Sequence, residues 1–196
     1  MTTTIDPRTS IQVSGELAPR GPQPGVSTPE RRLPLRRFLQ GPRLWIVGAH
    51  GGSGETTLAS LHEAWWPAGH CWPQGPNGTS GCVLTARTSA DGLLAAQSAL
   101  AQWAASGAGT ARLLGLVLIA DAPGKLPRPL RELACVVGGG APRLWMMPWI
   151  EAWRLGAQPT PDCVRGLSLL VDELNAVAAS VVPTHQLTTK ENNHGS

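Results

Sequence analysis

The chain has no tyrosine, one phenylalanine and two lysines, Lys125 and Lys190, against fourteen arginines. With much Ala, Gly and Pro, this is the coding bias of a GC-rich genome, so single arginine choices carry little weight. Only 15% of the 196 residues are charged, while 42% are hydrophobic, enough apolar material for one core of ordinary size. No apolar run approaches the ~18 residues needed for a membrane-spanning helix. Cys71, Cys82, Cys135 and Cys163 form no C-x-x-C pair, and Met1–Thr4 is polar rather than a basic and apolar leader. A reduced, cytoplasmic protein is the expectation. His62, His70 and Cys71 lie close in sequence but no second paired motif accompanies them, and no metal is expected. Nor does any Ser-His-Asp or Cys-His arrangement stand out.

Charge is unevenly placed. Residues 1–43 hold seven arginines against Asp6, Glu16 and Glu30, a balance of +4, which leaves −1 for the remainder of the +3 chain. A folded part without a basic stripe gives little support to nucleic-acid binding there. The Arg31–Arg43 segment is the basic feature through which nucleic acid, or an acidic partner, would be met.

Residues 1–40 contain six prolines and almost no apolar periodicity, and are expected to be a disordered arm. Residues 41–182 form an α/β pattern and residues 183–196 a polar tail. "RLWIVGA" reads as a buried strand entering a glycine turn, and "TTLASLHEAWW" as a helix. The stretch Pro67–Gly81 is full of breakers and is expected to be loop. "CVLTAR", "LLGLVLIAD" and "RLWMMPW" read as further strands. "SADGLLAAQSALAQWAAS", "PLRELACVVGG" and "CVRGLSLLVDELNAVAAS" read as helices. The alternation predicts a small, mostly parallel sheet with helices on both faces, its site at the carboxyl ends of the strands.

The turn itself is "AHGGSGETT". Gly51, Gly52, Ser53 and Gly54 allow the backbone to curl round an anion, and Thr56 and Thr57 offer hydroxyls at the start of a helix. This resembles the deviant P-loop of the ParA/MinD ATPases, with the chain as a truncated three-layer version of that fold. The family carries two lysines there; His50 stands at the first and Glu55 at the second. The whole sequence also resembles a group of small proteins from GC-rich bacteria with this glutamate and without an assigned activity. The resemblance implies ATP or GTP with magnesium as ligand, and the two replacements argue against it. Two charges ~4 Å apart interact by roughly 4 kcal/mol at an effective dielectric near 20, whereas micromolar binding totals about 8 kcal/mol.

Glu55 therefore has several destinations. It can fill the anion site from within as part of the first helical turn, turn outward, pair with an arginine such as Arg87, or ligate a metal. Asp121 ends "VLIAD" and matches either a magnesium or switch aspartate or the late strand on the base-binding side. Lys125 is the one lysine of the folded part available to replace the missing ones. "RLWMMPWIEAWR" holds Trp149, Trp153 and Arg154 in a stretch that leaves its strand at Pro148, an expected surface for a protein partner or self-association. Two function classes follow: a non-catalytic, degenerate P-loop protein acting through partners in DNA partition or conjugation, or a nucleotide switch using backbone amides, Thr56 and a substitute cation.

Overall fold

Leu44–Gly48 (β3) is buried at every position, and its side chains alternate between two cores. Trp45, Val47 and Ala49 face one apolar cluster, Leu44 and Ile46 the other. Such two-sided burial belongs to a strand inside a sheet covered on both faces. The computed structural model describes residues 12–14, 21–75, 80–163 and 166–181, and within them the chain is an α/β fold.

The strands are β1 (Gln12–Ser14), β2 (Leu35–Arg37), β3, β4 (Trp65–Pro67), β5 (Trp72–Gln74), β6 (Ser80–Arg87), β7 (Ala111–Ile119) and β8 (Leu144–Met147). Six of them form one sheet in the order β1-β8-β7-β6-β3-β4, parallel throughout except for β1. The helices are α1 (Glu55–Ala59), α2 (Ala90–Ala104), α3 (Arg128–Gly138), α4 (Glu151–Arg154) and α5 (Leu167–Ala179). Leu93, Ala96, Leu100 and Trp103 of α2 and Val137 of α3 cover one face. Leu58 of α1 and Leu167, Leu170 and Leu174 of α5 cover the other, with Trp145 Nε1 donating to Glu173 at 2.9 Å. These are the three layers the alternation predicts.

β3 is followed by β4 on one side of it, whereas β6, β7 and β8 step away on the other. The order of the sheet thus reverses between β3 and β6, and the helices after these two strands lie on opposite faces. A crevice opens at the carboxyl ends of strands at such a reversal.

Three expectations need correction. The first helix is five residues long, not eleven, because Trp65 and Trp66 leave it for β4. Their alternate facing suits a strand: Trp65 is buried with Nε1 on Asn175 at 3.1 Å, and Trp66 meets Trp45 edge-on on the other side. The breaker-rich Pro67–Gly81 stretch contains β5, which pairs in parallel with β2. The segment expected as a disordered arm supplies β1 and β2, and Leu33 and Phe38 pack on the core. Gln102 holds it there, accepting from Leu33 N–H at 2.8 Å and donating to Leu33 C=O at 2.9 Å. The tail 183–196 lies outside the described residues.

Candidate functional site

The glycine turn sits where it was expected, between β3 and α1. Gly52 and Gly54 have φ of 76° and 89°, conformations open to glycine, and a Cβ on Gly54 would strike Ile119. Ser53 is buried beneath the turn, its hydroxyl accepting from Thr85 Oγ1 at 3.3 Å. Gly51, Gly52 and Thr56 are exposed and Thr57 is half-buried.

Glu55 is buried and does not fill its own turn. Oε1 accepts from the backbone N–H of Gly69 at 2.8 Å and of His70 at 3.3 Å. Oε2 lies 3.1 Å from His70 Nδ1, a close approach without hydrogen-bond alignment. The loop between β4 and β5 is thereby fastened to α1, and two donors plus an imidazole satisfy a carboxylate that burial would otherwise penalise. The expectation that the carboxylate fills the anion site is corrected: its partners are Gly69 and His70. It does not pair with Arg87 either.

His50, at the other lysine position, is equally occupied. Nε2 accepts from Arg87 N–H at 3.1 Å, so the neighbouring Nδ1 carries the proton it gives to Gly51 C=O at 2.8 Å. Arg87, at the end of β6, sends Nε to Gly52 C=O at 3.1 Å and a terminal nitrogen to Ala120 C=O at 2.9 Å. Burial pulls its pKa below the usual range, while Asp121 opposes that shift and Arg154 adds to it. The arginine nearest the turn is thus spent on carbonyls.

Asp121 is exposed just beyond β7, its N–H donating to Thr88 Oγ1 at 3.2 Å. The structure brings it toward Arg87 but keeps β6 between β7 and the turn strand. Lys125 is exposed, with no ion pair among the described residues. Of the expected aromatic ledge, Trp153 is half-buried against the core, its Nε1 enclosed without a partner among the described residues. Trp149 donates to Glu151 and lies under Arg154, 5.9 Å from guanidinium to ring centre. The exposed apolar residue there is Leu155.

His62, His70 and Cys71 are held in separate contacts: His62 accepts from Ala64 N–H and stacks on Trp65, and Cys71 donates to Ala68 C=O. Among the described residues no group of three His, Cys, Asp or Glu side chains could hold a metal, and no helix is long and apolar enough to cross a membrane.

Sequence reasoning missed His70 as a partner of the turn, and it missed the approach of Arg31, Arg32 and Ser98 to the same place. The dipeptide Gly69-His70, both residues at positive φ, was the available signal of a tight loop. Nothing local marks its pairing with a glutamate fourteen residues earlier.

Comparison with curated proteins and with solved structures gives no match. Residues 42–168, from the first core strand to the start of α5, match the model of a family of unknown function, DUF6668, and the chain belongs to that family.

Proposed function

We propose that this protein is a non-catalytic, degenerate P-loop protein of the ParA/MinD type, a cytoplasmic accessory acting through protein partners in DNA partition or conjugation of a mobile element. The observation that carries the non-catalytic reading is the engagement of Glu55. Its carboxylate stands at the phosphate-binding lysine position and is committed to Gly69 and His70. The other lysine position is closed in the same sense, since both ring nitrogens of His50 already have backbone partners. A helix of one turn after the glycines offers little dipole to an added triphosphate. The process is taken from the resemblance of the turn. The partner surface is centred on Trp149, Arg154 and Leu155.

Thermal unfolding with ATP, GTP and their diphosphates, at millimolar concentration with magnesium, tests the reading. A ligand at a hundred times its Kd would add about 2.7 kcal/mol, a shift of several degrees. The expected result is no shift with any of them. A magnesium-dependent shift abolished by Thr56→Ala would establish the nucleotide-switch alternative instead.

A further inference from the structure

A cleft of about 230 Å³ lies on the flank of the glycine turn, bounded by Ala49, His50 and Gly51, by α2 and by the chain at Arg31 and Arg32. It takes in none of Gly52–Thr57, so it is not the cradle that a P-loop would offer to a triphosphate. It adjoins the carboxyl end of β3, next to which the sheet order reverses, the side on which open α/β sheets bind small ligands.

His70 forms part of the wall, and its imidazole is held with unusual care. The residue has φ of 55°, a conformation that non-glycine residues seldom adopt and that surrounding structure must enforce. The ring lies against Gly48, where any Cβ would collide with Nδ1 and Cε1. Glu55 then meets Nδ1 at 3.1 Å, which leaves Nε2 without a protein partner among the described residues. A backbone outlier, a glycine beneath the ring and a buried carboxylate together confine one imidazole in the cleft wall.

We propose that the cleft lined by Arg31, Arg32 and His70 binds a small phosphorylated molecule through its phosphate group. Two arginines and one histidine line the cleft, three side chains able to donate to an anion, and a phosphate has oxygens for all of them where a carboxylate has two. Nε2 of His70 serves in either protonation state, accepting from a P–OH or donating to a P–O⁻. His50, with both nitrogens engaged, is a wall and not a ligand. The volume is below the ~300 Å³ at which pockets for drug-sized ligands begin, a size that suits a phosphate with a few further atoms. Because the lining omits Gly52–Thr57, the cleft can be tested apart from any ATP site at the turn.

Calorimetric titration of the full chain with inorganic phosphate, in EDTA and without magnesium, tests this apart from any nucleotide site. Saturable one-to-one binding is expected, at least tenfold weaker in the Arg31→Gln/Arg32→Gln double variant and in His70→Gln. Arg112→Gln, which removes one positive charge from the far end of β7, leaves it unchanged. Both cleft arginines are exposed, so the double variant keeps its fold and decides the matter if His70→Gln does not. The proposal is overturned by absence of saturable binding at millimolar phosphate, by equal binding in the double variant, or by acetate binding as tightly as phosphate.

Discussion

Glutamine in place of Glu55 keeps the shape of the side chain but sets an amide where two N–H donors and an imidazole meet a carboxylate. Glu55→Gln is expected to lower unfolding free energy by about 1–3 kcal/mol, read from denaturant midpoints. Glu55→Lys, which restores the letter of a P-loop, turns a buried cation toward backbone donors and costs more, about 3–5 kcal/mol. It gains no protection from magnesium-ATP in the same assay. Gly48→Ala drives a methyl into the His70 ring and the Ser53 hydroxyl, with an expected loss of about 1–3 kcal/mol. The thiols separate by burial. Burial raises the pKa of Cys71, Arg36 opposing and Glu55 reinforcing, and raises that of Cys82 far above the thiol range. A raised pKa means less thiolate at pH 8 and slower alkylation. Peptide mapping after brief iodoacetamide treatment is expected to find exposed Cys135 modified well before Cys71 and Cys82.

Among the elements, Gln102 is the fastening between α2 and the chain before β2. Its amide also donates to Gly107 C=O at 2.9 Å, so one buried side chain serves three backbone groups. Gln102→Ala strands these groups, at about 1–3 kcal/mol for a buried unsatisfied partner. Trypsin cleavage after Arg31 and Arg32 is expected to accelerate by tenfold or more, while the core strands stay protected. The same contrast explains what the sequence made legible. Apolar runs such as "RLWIVGA" and "LLGLVLIAD" declare β3 and β7 because two-sided burial needs every residue. β2 and β5 are three-residue strands containing or flanked by proline, stabilised by each other across the chain, and carry no periodic signal of their own. Leu58 and Leu61 fit helical spacing as far as Trp65, where partners in β3 and α5 take over. The glycine turn was legible residue by residue. The contact that defines it, Glu55 with Gly69 and His70, was not, because it joins two turns through space.

At the scale of the whole molecule, the described residues before 41 are part of the fold. Their deletion exposes the surfaces under Leu33 and Phe38 and strips Gln102 of both its Leu33 partners. Burying one such side chain fully is worth about 1.5–3 kcal/mol, and these two are partly buried. Removal of residues 1–40 is therefore expected to cost about 3–5 kcal/mol with the lost Gln102 contacts, measured by chemical denaturation against the full chain. An arm without structure would give no change. The Glu55 clamp has a consequence of the same scope. A loop ordered by a dissolved anion tightens and slackens with the anion's concentration, through mass action. A carboxylate carried by the chain cannot be diluted, and its local concentration is set by a short covalent tether. The loop at Gly69-His70 is thus held as if by a ligand that never leaves, and its order is expected to be independent of the cell's nucleotide supply.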